Sequence, residues 1–396
     1  MKIVTSLFLV GFVIFPNVGG MDFSFLSLLI GFVFCVIKYG HKCSLVVFSK
    51  EVIYFVLIFI FLWALTIILF FIHGGYAIDP QFMFKPPRVV LILFLMSVII
   101  QVSQITMIEI FKIILLSATI NAVVIYLQYI FHMTGVTDSF LLNPNTGENA
   151  LTPYRKPGLM AGYPISGMLS FIGSLISIYL YYFKRKIHFL LLFFIVGFTC
   201  FITSRTSMYM FIFFGMLYYL YLMLKMNKIF YVIVPATVIF LLFGYLSATD
   251  NEFFSGTINK MFANVNNYIE SGSFHDNSTS DLMENHYQLP SDDKTMLLGT
   301  SLPNDLSPVN SDVSIFRITW YSGVFTTLLY IALYFYLFIG TFVKMDTRTE
   351  KTLIIFIFIA MSIANMKGSY LFSRVLGDCL LMIWLAVQNN FIKIKD

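Results

Sequence analysis

From Ile3 to Phe391 the chain runs through one apolar stretch after another, separated mostly by short polar breaks. A run of about 20 apolar residues is what a helix needs to cross a bilayer. A spanning helix also satisfies its own backbone N–H and C=O groups inside lipid. The pattern therefore predicts an all-α, polytopic integral membrane protein. Twelve candidate spans fall at about 3–20, 22–37, 52–72, 89–104, 113–131, 163–183, 187–203, 207–224, 229–247, 318–343, 352–366 and 375–391. Composition agrees: 59% of residues are hydrophobic and 11% charged, against roughly 45–50% apolar content in a soluble domain. Apolar sequence begins at Ile3 and ends shortly before Asp396, so residues 1–396 read as a single membrane domain with no soluble domain at either end. The stretch from Met1 to Phe15 resembles a signal peptide but is followed by no A-x-A-like site, and it reads as a retained first helix.

The four cysteines, Cys35, Cys43, Cys200 and Cys379, are single and far apart, which argues against a disulfide framework and a Cys-type metal site. The net charge of +5 is too modest to point to nucleic acid. No Walker loop, HExxH or G-x-S-x-G is present, which leaves nucleotide hydrolysis, zinc proteolysis and lipase-type chemistry without support.

Charge is sorted by face. If twelve helices alternate, Lys2, Lys38, Lys42, Lys50, Lys112, Lys184 to Lys186, Lys225, Lys228, Lys344, Arg348, Lys351, Lys393 and Lys395 all fall on one side. The positive-inside rule makes that side cytoplasmic, with both termini inside. The inner balance is then +10 and the outer one −5. Outer loops are expected at 73–88, 132–162 and, largest of all, 248–317. The last opens with Phe254, Ile258, Met261, Phe262, Val265, Tyr268 and Ile269, whose spacing predicts an amphipathic interfacial helix. Polar sequence follows from Ser271 to Lys294, which predicts a mobile stretch.

Five of the seven arginines, Arg88, Arg155, Arg205, Arg317 and Arg374, fall on the outer face, where the topology rule predicts few cations. Arginine is the residue that holds phosphate in fixed geometry, through two parallel N–H donors. Arg205 stands in Thr203-Ser-Arg-Thr-Ser207, a short polar break between two apolar spans. A charge at that depth is costly unless it faces a bundle interior or cavity, the alternative being a snorkelling anchor. Arg155 and Lys156 lie in a loop dense in turn formers that ends with Pro164 at a helix start. A helix N-terminus there would add to an anion site. Candidate bases on the outer face are Glu148, His275, His286 and Asp312. His286 lies close to the mobile stretch, where a lone loop histidine is more often only solvated; Asp312, just before the helix entered through Arg317, is better placed to accept a proton from a hydroxyl, although it could equally cap that helix or pair with Arg317.

Three passages together resemble the O-antigen polymerase and ligase family, the Wzy and WaaL type of surface-polysaccharide enzymes. They are Arg155-Lys-Pro-Gly-Leu-Met-Ala-Gly-Tyr-Pro164, Ser204-Arg205-Thr206, and Gly299 through Ser311-Asp312 to Gly323. The resemblance implies a GT-C-like bundle with one large outer loop in a bacterial cytoplasmic membrane. It implies a cofactor-free, metal-independent glycosyltransferase that polymerises undecaprenyl-diphosphate-linked oligosaccharide repeat units into O-antigen or capsule, with a chain-length regulator protein as a further partner. Arg155 and Arg205 would bind the diphosphate, with Lys156, Arg317, Arg374 and Arg88 as further candidates, and Asp312, His286 and Glu148 would be the catalytic candidates. Ligases of the family carry a His-Asn pair where this chain has Ser311-Asp312, which favours polymerase over ligase. A lipid-linked oligosaccharide flippase is the rival class, but such carriers show two related halves and charges near the midplane, and no internal repeat is evident here.

Overall fold

A computed structural model describes residues 2–18, 21–75, 79–135, 155–160, 162–228, 268–269, 280–303, 305–368 and 371–389. The candidate span 229–247, most of the expected amphipathic helix, Glu148 and His275 lie outside them. The helices are α1 Lys2–Ile14, α2 Phe23–Tyr39, α3 Lys50–Ile72, α4 Pro80–Val102, α5 Met107–Met133, α6 Tyr163–Lys184, α7 Ile187–Thr203 and α8 Arg205–Lys225, the last containing a π turn at Phe211–Gly215. Beyond residue 280 come the short α9 Asp293–Leu298, then α10 Ser314–Val343, α11 Arg348–Asn365 and α12 Leu376–Asn389. Among the described residues, seven helices are long and apolar enough to span a membrane, and α1, α7 and α12 are shorter apolar helices.

The lipid-facing character is visible in α3. Val52, Phe55, Phe59, Leu62, Thr66 and Leu69, alternately three and four apart, are buried. The opposite face is just as apolar, yet Leu57, Phe61 and Ile68 are 54%, 52% and 54% exposed. A soluble amphipathic helix would carry polar residues there. The chain is thus a helical, multi-pass membrane protein.

It divides into two compact units: Met1–Phe15, Asp22–Ile114 and Asp281–Asp396 form the first, and Pro16–Met21 and Leu115–Ser280 the second. The core of the first unit is aromatic. Phe55 packs 5.0 Å from both Phe59 and Trp384, and Phe59 meets Phe372 edge-on at 5.0 Å, ring centroid to centroid. The second unit is held instead by small polar residues. Every residue of α6 from Ser166 to Tyr181 is buried, Ser170 accepts from the Thr199 hydroxyl of α7 at 2.7 Å, and Ser177 donates to the Phe189 carbonyl at 2.6 Å. Small hydroxyl residues let helices approach closely and bond across the contact where lipid offers no hydrophobic drive.

Helix starts follow local capping chemistry. Asp22 caps α2 by accepting from the N–H groups of Ser24 and Phe25, Ser49 caps α3, and Thr347 with Glu350 makes a reciprocal capping box on α11. Pro164 sits in the first turn of α6, as its sequence position predicts. Two starts come earlier than hydropathy predicts. The Asp79 carbonyl takes the N–H groups of Phe82 and Met83, so α4 begins at Pro80 and carries Lys85 and Arg88. Likewise α10 begins at Ser314, which places Arg317 in its first turn.

One helix is broken. Gly323 in α10 has φ 81° and ψ 170°, a combination essentially restricted to glycine. The break frees the carbonyls of Trp320 and Tyr321, which accept from the N–H groups of Thr300 and Ser301, each at 2.8 Å. The segment after α9 thereby fills the gap in α10, and Gly299, with φ 71°, makes the turn into it.

Candidate functional site

In the second unit, the segment carrying Arg155 and Lys156 is fastened on two sides. The Lys156 N–H donates to the Ile202 carbonyl at 3.1 Å, three residues before Arg205. Further on, Gln128 of α5 accepts from the Gly158 N–H and donates back to its carbonyl, both at 2.9 Å. Asn121, seven residues earlier and so on the same face of α5, accepts from the Leu159 N–H and donates to the Ser166 hydroxyl, both at 2.8 Å. Gly158 has φ +64°, and a Cβ there would lie 2.3 Å from the Asn121 Oδ1. Only glycine meets both demands.

Ser204 separates α7 from α8 and accepts from the Ser207 N–H at 3.2 Å, so Arg205 is the first residue of a capped helix. The hydroxyls of Thr203, Ser204 and Ser207 bond one another at 2.8 and 3.2 Å. Arg205 and Arg155 are half-buried and Lys156 fully buried. Burial pushes the Lys156 ammonium down to about 8 from 10.5. Two cationic segments that are 50 residues apart in sequence thus lie side by side at one end of α6, α7 and α8, at the start of a helix whose dipole favours an anion.

The depressed Lys156 value has two consequences of opposite sign. Between about pH 8 and 10.5 the unfolded chain binds the proton that the folded chain has released, so stability rises with pH across that window. Attraction for an anion falls over the same window as the charge is lost. Lys156→Gln is expected to flatten both dependences, measured as the thermal midpoint and as pyrophosphate affinity of the purified protein against pH. Parallel profiles for variant and wild type would refute the assignment.

The other three of those five arginines, Arg88, Arg317 and Arg374, belong to the first unit, and each has a carboxylate. Arg88 donates to both oxygens of Asp378, at 3.0 and 3.4 Å, with Asp22 4.0 Å from its Nε. Arg374 donates from Nε to the Ser24 hydroxyl at 3.0 Å and lies 3.7 Å from Asp22. Arg317 pairs with buried Asp79 at 3.1 Å and stands over the Phe82 ring, as does Lys85. Although burial alone would raise it, the Asp22 carboxyl is held below its ordinary value by the Ser24 hydroxyl, Arg374, the Phe25 N–H and Arg88 together.

The candidate bases His286 and Asp312 are adjacent in this unit. The Asp312 N–H donates to His286 Nδ1 at 3.0 Å, which places the ring proton on Nε2, facing Asp281 at 3.3 Å. The Ser311 hydroxyl donates to the His286 carbonyl at 2.9 Å. Both ring nitrogens are therefore engaged, whereas the Asp312 carboxylate is exposed and neither caps α10 nor reaches Arg317. As an unbonded carboxylate it is the group of the two able to accept a proton directly. Among the described residues, no group of three or more His, Cys, Asp or Glu is placed to share a metal ion.

Hydropathy and motif reading passed over Asp22, Asp79, Lys85, Asn121, Gln128 and Asp378. Asp378 left the clearest signal, a carboxylate inside an otherwise apolar span, which demands a partner. Asn121 and Gln128, two carboxamides one heptad apart on an apolar helix, left another. Comparison with protein-family models and with curated proteins finds no match for this chain.

Proposed function

We propose that the protein is a glycosyltransferase that polymerises undecaprenyl-diphosphate-linked oligosaccharide repeat units into a surface polysaccharide on the outer face of the cytoplasmic membrane. The observation that carries this reading is the backbone bond from Lys156 to Ile202, which sets the Arg155-Lys156 loop beside Arg205. In the reaction a sugar hydroxyl of the acceptor attacks the anomeric carbon of the donor glycan. The bond from that carbon to the phosphate oxygen breaks, and the lipid diphosphate leaves with the electron pair. Arg155, Lys156 and Arg205 stabilise the charge that develops there, a role in which one preorganised donor is worth roughly 10²–10³ in rate.

The test is Arg205→Ala in cells. Surface glycan is expected to collapse to single repeats while the protein stays in the membrane at its normal level. Normal polymer from that variant would reduce Arg205 to a membrane anchor and remove the proposal's main support.

A ligase-type transfer is the second reading, favoured by the His286 ring held against the Ser311-Asp312 slot. Analysis of the glycan's reducing end separates the two. Repeat units added to lipid-linked chains mark a polymerase, and transfer to a different acceptor marks a ligase.

A further inference from the structure

The second unit carries another cationic group that the proposed chemistry does not use. Because α7 returns the chain between α6 and α8, the last turns of α6 and α8 lie at the end opposite Arg205. There the guanidinium of Arg185 lies 5.1 Å from the centroid of the Tyr182 ring, and the ammonium of Lys225, from α8, lies 5.3 Å from the same centroid. Lys225 is also 5.8 Å from the Tyr221 ring, and Lys228 stands over Tyr181 while donating to its hydroxyl at 3.3 Å.

The backbone is bent to bring these charges together. Arg185 closes α6 with φ 58°, and Asn227 ends α8 with φ 53°. These are positions that glycine fills at least cost. Turning back at Arg185 brings its side chain over Tyr182, and turning back at Asn227 brings Lys228 to Tyr181, with the Lys228 N–H donating to the Met223 carbonyl at 3.0 Å. Two cations from different helices converge on one ring. The sequence has no Asp or Glu anywhere from 149 to 249, so neither helix brings a counter-charge of its own.

We propose that this end of α6 and α8 binds the phosphodiester headgroup of an anionic membrane lipid. An arginine fork and two flexible ammonium groups around tyrosines match a phosphodiester's oxygens. A lipid rather than a soluble phosphate is indicated by the apolar residues beside the cations. Phe183, Ile187 and Leu224 are 59%, 55% and 57% exposed and offer an acyl chain a surface directly below the headgroup. The site is independent of the glycosyltransferase reading, since it shares no residue with it.

The test uses the full-length protein reconstituted in vesicles of phosphatidylcholine, with and without an equal part of phosphatidylglycerol. Retained lipid is counted by native mass spectrometry, and the thermal midpoint is followed in parallel. Wild type is expected to retain phosphatidylglycerol preferentially and to unfold at a higher temperature in its presence. At about a fivefold effect for each interfacial basic residue, and so on the order of a hundredfold for three, Arg185→Gln with Lys225→Gln and Lys228→Gln should lose the preference while keeping its midpoint in pure phosphatidylcholine. If the triple variant does not fold, Arg185→Gln alone should show a partial loss. Arg348→Gln, which removes an exposed cation from the first turn of α11, should leave lipid retention unchanged, which separates a built site from surface charge in general. Equal retention by wild type and the arginine and lysine variants would overturn it. So would an equal rise in midpoint from inorganic phosphate in phosphatidylcholine vesicles.

Discussion

Asp378→Ala is expected to remove nearly all folded protein from the membrane. The carboxylate is 1% exposed, accepts two bonds from Arg88 and takes the Val375 N–H at 3.2 Å. Deleting one member of a buried ion pair strands the other charge, at a cost of about 3–5 kcal/mol. That is a large share of the roughly 5–15 kcal/mol that holds a domain together. Asp22 does not compensate, because it stands 4.0 Å from Arg88 and is already engaged with Ser24 and Arg374. The pair itself contributes far less than its rupture costs, since two charges were desolvated to make it. Replacing both with apolar residues of similar size, Arg88→Met with Asp378→Leu, should therefore restore most of the yield. Size-exclusion chromatography in detergent and the thermal midpoint read both outcomes. A single variant with wild-type yield and midpoint would show that Arg88 has another counter-charge, and would reopen it as a ligand-binding arginine.

The outcome bears on what could be read from sequence. Helix positions were legible because lipid demands apolar residues at every turn, and eleven of the twelve expected spans coincide with helices among the described residues. Ends were less legible where capping chemistry outranks hydropathy. The Asp79 carbonyl starts α4 nine residues before the apolar run begins, and no hydropathy window registers a carbonyl. That extension moved Lys85 and Arg88 from an expected loop onto a helix. The five arginines that span alternation groups on one face divide between the two units, and that division does not show in sequence. Arg88, Arg317 and Arg374 meet their carboxylates across 66 to 352 residues of chain, such as Arg317 with Asp79 and Arg374 with Asp22. Pairing over such distances depends on packing, which a single sequence does not display. The adjacency of Arg155 and Arg205 depends likewise on one backbone bond to Ile202.

The motif from Gly299 to Gly323, singled out in sequence for a resemblance, has a physical reason that can be tested without reference to any family. Gly323→Ala is expected to destabilise the first unit by roughly 3–5 kcal/mol, combining the strain of a side chain at positive φ with steric overlap. A Cβ at 323 would lie 2.0 Å from the Leu297 carbonyl oxygen, and backbone cannot retreat as a side chain can. The segment 297–301 would have to withdraw, breaking the bonds from Thr300 and Ser301 to the carbonyls of Trp320 and Tyr321. Those carbonyls would then be unsatisfied at the break in a spanning helix, where each lost bond is expensive. Withdrawal would also loosen the chain that leads to Ser311 and Asp312, so the loop should become open to protease while the other helices remain inserted. Limited proteolysis of membranes carrying Gly323→Ala reads this as cleavage between about 290 and 313, absent in wild type. Gly299→Ala should give the same cut, because its Cβ would meet the Tyr321 carbonyl oxygen at 2.3 Å from the other side of the same contact. Cleavage in neither variant would mean that the two segments are not locked together, and that the break in α10 is held open by something other than residues 299–301.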